Sequence, residues 1–299
     1  MSGKLDAYRD DVTVADGGWS TQLQARGVPT DVPAELANLT HPHLVEALAR
    51  DYVAAGARFI TTNTFSANRF IFERRAPEHN LDQVNRSGAA LARKVAAEAG
   101  ALAAGSIGPS GKILAVGEAK ESELTELFSA HATALAEGGA DVIVLETFSE
   151  LAEVLLALEA VRKATGLPII ASMSFDSGPQ RTHTMMGARA EDCASALEET
   201  GADAVGCNCG GGIATFLPIV VALRANTSLP LWVKPNAGLP ELVDGQVVYR
   251  QTPDEFGHYI PDLLEAGANI IGGCCGSSPD HIKRVSALVE SHKRKAQKE

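Results

Sequence analysis

A short pattern that recurs four times along the chain limits its possible folds more than any other feature. In each copy a helical segment ends at Gly-Ala, and a short apolar run follows. The copies occupy residues 55–63, 139–146, 201–208 and 267–274. Glycine after a helix is typical of a left-handed cap, and unbroken apolar runs are typical of strands buried on both faces. The pattern therefore predicts a repeated strand–helix unit.

Further segments complete eight such units. Four more strands are predicted at 12–16, 102–107, 169–175 and 231–236. Helices are predicted at 44–55, 84–99, 124–137, 151–165, 190–199, 214–225, 255–265 and 279–289. Eight alternating pairs in 299 residues predict an α/β fold: a single (β/α)8 TIM barrel domain over residues 1–299, with its active site at the C-terminal ends of the strands. The charge-rich residues 290–299 are predicted to form a frayed, solvated C-terminal tail.

An open, doubly wound sheet is the competing architecture. Such sheets bind dinucleotides through a Gly-x-Gly-x-x-Gly motif after the first strand. Here the corresponding stretch, Asp16-Gly17-Gly18-Trp19-Ser20-Thr21, lacks the third glycine. The barrel is therefore the favoured fold.

The charge balance and the cysteine count exclude several classes of function. With 26 basic and 37 acidic residues, the formal net charge is −11, which disfavours binding to nucleic acid or to an anionic membrane. The N-terminus has no apolar signal segment, and no apolar run is long enough to span a bilayer. Five cysteines, an odd number, do not suit a secreted disulfide framework. We therefore expect a cytoplasmic protein with no nucleic-acid or membrane partner.

Four of the five cysteines lie at predicted strand ends, where a barrel of this type has its active site. Cys207 and Cys209 end one strand, and Cys274 and Cys275 end another. Thiolates suit a soft metal such as Zn²⁺, and three of them leave a fourth position for substrate. Spacing does not choose between Cys207 and Cys209, which would share one strand face. Cysteines that only fill the core are the alternative. The other polar residues at the strand ends are Asp16, Asn63, Glu146, Asn208 and Asn236.

Several motifs at these strand ends resemble those of the homocysteine S-methyltransferase family. They are Asp16-Gly17-Gly18, Thr62-Asn63-Thr64-Phe65, Gly105-Ser106-Ile107-Gly108-Pro109, Leu145-Glu146-Thr147-Phe148, Gly206-Cys207-Asn208-Cys209, Pro235-Asn236-Ala237-Gly238-Leu239-Pro240 and Gly272-Gly273-Cys274-Cys275-Gly276. The resemblance extends from about residue 12 to residue 289, and it is closest to the homocysteine-binding barrel of cobalamin-dependent methionine synthase. It implies a zinc-dependent enzyme that methylates homocysteine to methionine.

The resemblance also implies roles for individual residues. It assigns the zinc ligands to Cys209, Cys274 and Cys275, because the family's Gly-x-Asn-Cys motif selects Cys209. Cys207 is then a departure that leaves a spare thiol close to the metal. Asn236 is implied as a possible fourth ligand when substrate is absent. The residues implied to bind homocysteine are Asp16, Gly17, Gly18, Asn63 and Glu146. Carboxylates suit its ammonium group, and glycine N–H groups suit its carboxylate.

The methyl donor is less constrained than the acceptor. The likeness to methionine synthase favours methylcobalamin carried by a separate corrinoid protein. A small sulfonium such as S-methylmethionine is the alternative, and Trp19 could face it through a cation–π contact. A betaine donor would require an aromatic cage, yet the chain has only four Tyr and two Trp. Methylation of another thiol, or a non-catalytic zinc-binding barrel, are the remaining alternatives.

Overall fold

Eight parallel strands close into a barrel in the computed structural model, which describes residues 3–243 and 246–297. The barrel strands are β1 (Thr13–Val14), β2 (Phe59–Thr61), β3 (Leu102–Ile107), β4 (Val142–Phe148), β5 (Ile169–Met173), β6 (Ala204–Cys209), β7 (Leu231–Pro235) and β10 (Ile270–Ile271). Between the last two, β8 (Glu241–Val243) and β9 (Gln246–Val248) form an antiparallel hairpin.

The strand order confirms the predicted (β/α)8 barrel. Strands β2 to β6 each pair with the next strand in sequence, and β10 pairs with both β7 and β1. A parallel bridge between Ala15 and Phe59 joins β1 to β2, where the Asp16 N–H donates to the Phe59 carbonyl at 3.1 Å. This bridge closes the ring.

The helices lie outside the strands, as in other barrels of this class. They are α1 (Gly3–Asp6), α2 (Ser20–Ala25), α3 (Ala37–Thr40), α4 (Pro42–Ala54), α5 (Arg69–Arg75), α6 (Leu81–Ala99), α7 (Glu121–Glu137), α8 (Leu151–Thr165), α9 (Ala190–Glu199), α10 (Phe216–Ala225), α11 (Pro253–Gly257), α12 (Ile260–Glu265) and α13 (Pro279–Ala296). Among the described helices, none is long and apolar enough to cross a membrane.

Two helix predictions need correction. The helix expected at 255–265 is broken into α11 and α12, because Pro261 in the first turn of α12 has no N–H to continue the hydrogen-bond ladder. The charged end, expected to fray from residue 290, stays helical to Ala296, although its last described residues are solvent-exposed. The final two residues lie outside the described ranges.

The barrel interior changes from apolar to polar along the strands. Its lower part is one apolar cluster: Leu5, Ala15, Phe59, Ala104, Val142, Val144, Ile170, Ala204, Trp232 and Ile270. Strand side chains alternate, so the residues two positions further along face the same interior. On five strands these are polar and buried: Thr61, Ser106, Glu146, Ser172 and Lys234. The sequence thus places a polar layer at the C-terminal end of the barrel, on top of an apolar floor.

Candidate metal centre and adjoining cavity

Three cysteine side chains converge at the C-terminal end of the barrel. The Sγ atom of Cys209 lies 3.6 Å from that of Cys274 and 4.0 Å from that of Cys275. All three sulfurs lie within 4.8 Å of one another. Tetrahedral zinc with Zn–S bonds of about 2.3 Å requires sulfur–sulfur separations of about 3.8 Å. The donor type and the spacing therefore both fit a zinc ion held by three thiolates.

Cys209 reaches this cluster because the backbone turns at the end of β6. Its φ angle is 65°, in the left-handed region, so its side chain leaves the alternation of the strand. Cys207 keeps the alternation and packs, fully buried, among the apolar residues between the barrel and its helices. Burial also raises the pKa of the Cys207 thiol, which suits a core position. The expectations that Cys207 shares a face with Cys209 and lies close to the metal were wrong.

The adjacent cysteines share the site because β10 ends at Ile271, before them. The Cys274 N–H donates to the Pro235 carbonyl at 2.8 Å, which anchors the turn to β7. Gly276 adopts φ +78°, and a Cβ atom on Gly272 would lie 2.6 Å from the Asp16 carbonyl oxygen. Of these two glycines, only Gly276 supplies unusual backbone freedom, whereas Gly272 permits a close approach of β10 to β1.

Two asparagine amides fasten the cysteine turns. Asn236 accepts a hydrogen bond from the Cys275 N–H at 3.0 Å and donates to the Gly210 carbonyl at 3.2 Å. Asn208 accepts from the Ser172 hydroxyl at 2.7 Å, and its Nδ2 lies 3.9 Å from the Cys274 sulfur. These contacts hold the cysteine turns in place, as partners of metal ligands do in known metal sites.

Hydrogen bonding favours a thiolate at one of the three cysteines. Hydrogen bonds from Cys209 and then Cys274 hold the pKa of Cys275 down to about 3, and the hydrogen bond with Cys274 raises the pKa of Cys209. A cluster that readily releases a proton and holds the resulting charge in a buried place favours a bound cation.

The cluster forms one wall of a cavity of about 170 Å³. Most of the sequence-predicted site residues line this cavity: Gly17, Gly18, Trp19, Asn63, Glu146, Cys209, Cys274 and Cys275. Asp16 and Asn236 lie behind the lining, as far as the described residues show. The strand-end prediction therefore brings most of its candidates to a single place.

Glu146 is the carboxylate that faces the cavity. It is buried on β4, and its Oε1 accepts a hydrogen bond from the Ser106 hydroxyl at 2.5 Å. Burial raises the pKa of Glu146 to about 7, although the positive charge of Lys234 opposes the shift. A carboxylate with such a pKa gains from a cationic partner, and a substrate ammonium would supply one.

Asp16 is instead part of an internal network. Its Oδ1 is 2.6 Å from the Nζ of Lys234, and its Oδ2 accepts from the Thr61 N–H and hydroxyl, both at 2.7 Å, and from the Trp19 ring N–H at 2.8 Å. The carboxylate therefore has four donors from the protein itself. It sets the position of the Trp19 ring, which lines the cavity.

Lys234 is a charged residue of the site that was not predicted from the sequence. It lines the cavity with a side chain only 3% exposed. Burial acts to lower its pKa, but the charges of Asp16 and Glu146 outweigh burial and raise it, so the side chain is an ammonium ion. A signal was present: Lys234 interrupts an apolar run and follows Trp232 by two residues, which places both on the inner face.

The remaining predicted residues are fixed by packing or by hydrogen bonds. A Cβ atom on Gly17 would lie 2.8 Å from the Tyr52 ring, and one on Gly18 would lie 2.7 Å from the Cys274 carbonyl oxygen. Only glycine fits at these two positions. The Asn63 side chain donates to the Ala34 carbonyl at 2.8 Å, so this amide braces the cavity wall.

The sequence matches a known family over most of its length. A profile of that family, described as Homocysteine S-methyltransferase, matches residues 13–289. Methionine synthase of Mycobacterium tuberculosis is 32% identical over 308 aligned positions, which cover 97% of this chain and 26% of that protein. Betaine–homocysteine S-methyltransferase 1 of Danio rerio is 29% identical over 310 positions, which cover 95% of this chain and 74% of that protein. The chain thus spans about a quarter of the mycobacterial methionine synthases that it matches.

A solved structure agrees with these matches. The metallated form of the homocysteine methyltransferase MmuM from Escherichia coli has a TM-score of 0.79 and 26% identity, with 96% of this chain and 100% of that chain covered. The profile match covers more than nine tenths of the 299 residues. The chain therefore belongs to the homocysteine S-methyltransferase family.

Proposed function

We propose that this chain is a zinc-dependent homocysteine S-methyltransferase that forms methionine. The observation that carries the proposal is the group of three thiols, with sulfurs 3.6 and 4.0 Å apart, in the wall of a small cavity. Cys209, Cys274 and Cys275 would hold zinc and leave one position for the acceptor sulfur. Asn236 would fill that position at rest, because its amide oxygen has a second lone pair beside the hydrogen bond from Cys275.

Zinc bound at this site would lower the pKa of the acceptor thiol. A free thiol has a pKa of about 8.5 and is only a few per cent ionised at pH 7. Lowering that pKa to about 6 corresponds to about 3 kcal/mol of thiolate stabilisation. Lower basicity also weakens a thiolate as a nucleophile, and three electron-rich protein thiolates on the metal would offset that loss.

The protein's own residues would then hold the acceptor in place. Glu146 is the cavity-facing carboxylate and suits the substrate ammonium. In the transfer, the acceptor sulfur forms a bond to the methyl carbon while the bond from that carbon to the donor breaks. The thiol proton has already left to solvent, so the step needs an aligned sulfur and a dry cavity rather than a general base.

For the donor we propose a methylcorrinoid presented by another protein. At about 170 Å³ the cavity is smaller than the roughly 300–1,000 Å³ of sites for drug-sized ligands, so a corrin ring must deliver its methyl group from outside. Exposed apolar side chains on the loop after β5 and on the segment that contains β8 and β9 suit contact with such a partner: Met185, Met186, Leu239, Leu242 and Val247. The unpaired thiols suit the reducing cytoplasm.

A product assay tests the function and the donor together. Zinc-loaded protein is incubated with homocysteine and, in parallel, with methylcobalamin, S-methylmethionine or betaine, and methionine is measured by mass spectrometry. Methionine from methylcobalamin supports the proposal, and Cys274→Ala should abolish it. Methionine from the sulfonium alone would replace the donor assignment and make Trp19 the first residue to vary. Zinc binding at unit stoichiometry without methionine from any donor would favour a non-catalytic barrel.

A further inference from the structure

The floor of the cavity carries an ammonium group whose hydrogen-bonding capacity is only partly used. Lys234 Nζ has three N–H donors, and in the described residues one of them is engaged, by Asp16 Oδ1 at 2.6 Å. The side chain is 3% exposed, yet it lines the cavity. Unused donors on a buried cation are costly, so the geometry favours an anionic group placed against Lys234 when the cavity is filled.

Two of the groups expected to bind the acceptor's charges, Asp16 and the Gly18 N–H, are engaged within the protein. Both oxygens of Asp16 are occupied by donors from the protein, and its side chain is fully buried. The Gly18 N–H donates to the Ser277 carbonyl at 3.0 Å, so it is not available for a carboxylate. Among the charged residues that line the cavity, Lys234 and Glu146 remain.

We propose that Lys234 binds the carboxylate of the acceptor thiol, that Asp16 is a positioning residue which holds Lys234, and that Glu146 binds the ammonium. This inference rests on the proposed function, and it names the substrate class of the same site: a thiol that carries an α-amino acid group. With the acceptor bound, charges alternate across the cavity from Asp16 through Lys234, the substrate carboxylate and the substrate ammonium to Glu146. Each charge then has a neighbour of opposite sign, as buried ions require.

The arrangement predicts which acceptors are rejected. A site built to hydrogen-bond a polar group discriminates strongly against an analogue that lacks it, because its own buried groups are left unpaired. Removing the carboxylate from homocysteine gives 3-aminopropane-1-thiol, and removing the ammonium gives 4-sulfanylbutanoate. Binding of the first should depend little on Lys234, and binding of the second should depend little on Glu146.

The test compares homocysteine, 3-aminopropane-1-thiol and 4-sulfanylbutanoate on zinc-loaded protein. Calorimetry measures their binding, and formation of the S-methylated product measures their turnover. Wild-type protein should prefer homocysteine to 3-aminopropane-1-thiol by about 10- to 100-fold, the range expected for a charge-assisted hydrogen bond. Lys234→Met should reduce this ratio to near one and leave the preference over 4-sulfanylbutanoate unchanged. Glu146→Gln, the matched control, should show the reverse pattern.

A second variant guards against misfolding. Lys234→Met leaves the Asp16 charge buried without a partner, whereas Asp16→Asn combined with Lys234→Met removes both charges. The double variant should fold and should also lose selectivity for the carboxylate. If the ion pair were purely structural, its removal would instead weaken the binding of all three thiols by the same factor. Retention of carboxylate selectivity in either variant would overturn the assignment.

Binding and turnover separate this inference from the proposed function. If homocysteine binds but no donor yields a product, the methyltransfer proposal fails, while calorimetry still decides the role of Lys234. If methionine forms but Lys234→Met keeps the wild-type selectivity, the function stands and the carboxylate anchor is refuted. If wild-type protein does not bind homocysteine at all, both proposals fail.

Discussion

Two cysteines on one strand offer a matched test of the metal site. Cys207 and Cys209 are two residues apart on β6, but only Cys209 lies in the sulfur cluster. Structural zinc in small peptides binds with about 10–16 kcal/mol shared over four ligands, so one ligand contributes about 3 kcal/mol. Cys209→Ala should therefore weaken zinc binding by about 100-fold or more. Competition with a chromogenic chelator measures this change directly.

Cys207→Ala should lower the stability of the fold and leave zinc affinity unchanged. The Cys207 sulfur is fully buried among apolar neighbours, so its removal leaves a small cavity and should lower the free energy of unfolding by about 1 kcal/mol. Zinc should remain at one equivalent with wild-type affinity. Urea unfolding of the metal-free variants separates the two effects, because Cys209→Ala should cost less stability and more zinc affinity.

The assignment of Cys209 as a ligand would be refuted if the two variants showed each other's expected zinc affinity. If Cys207→Ala lost zinc while Cys209→Ala kept it, the left-handed turn at Cys209 would not determine which sulfur reaches the metal. Loss of zinc in both variants, with folding intact by circular dichroism, would point to a four-sulfur site and leave no open position for an acceptor.

Three further predictions concern the surroundings of the cluster. Asn208→Ala should lower zinc affinity by about 10- to 100-fold in the same competition assay, because its amide orients the turn next to the Cys274 sulfur; unchanged affinity would contradict this. Burial raises the pKa of Glu146 from 4.5 to about 7, so between these values the folded chain holds a proton that the unfolded chain has released. The free energy of unfolding, measured in urea relative to Glu146→Gln, should therefore fall as pH rises from about 4.5 to about 7, and a flat difference would argue against the shift. Gly18→Ala should lower both stability and zinc affinity, because a Cβ atom would lie 2.7 Å from the Cys274 carbonyl oxygen; a variant with wild-type unfolding and zinc binding would contradict that close approach.

Most of the barrel could be predicted because its strands carry a strong local signal. Unbroken apolar runs and glycine caps located all eight barrel strands, with β3 correct at both ends. The hairpin of β8 and β9 was missed. Its described residues are mostly exposed, so no burial pattern marks them. Short helices in the loops, such as α2 and α5, were also not predicted, because few of their residues are buried.

The location of the site was predicted more accurately than the contacts that its residues make. The topology of a barrel gathers strand ends, so residue types at those ends are sufficient to locate the thiol cluster. The conformation of a single residue is not encoded in the same way. The left-handed φ of Cys209 removes it from the strand alternation, and no period-based argument can anticipate that.

The Asp16–Lys234 pair shows where the sequence argument stops and the structure becomes necessary. The two residues are separated by 218 positions, and they meet because β10 lies between β1 and β7 in the closed sheet. Alternation alone could assign Lys234 to the inner face, but which carboxylate neutralises it depends on the register of three strands. A buried ion pair contributes little net stability, because desolvation offsets most of its Coulomb attraction. Apolar residues at both positions would avoid that cost, whereas an apolar residue at position 234 alone would leave the Asp16 charge buried without a partner. The charged pair at the boundary of the cavity therefore suits a ligand with an anionic group, which would use the donors that Asp16 leaves free.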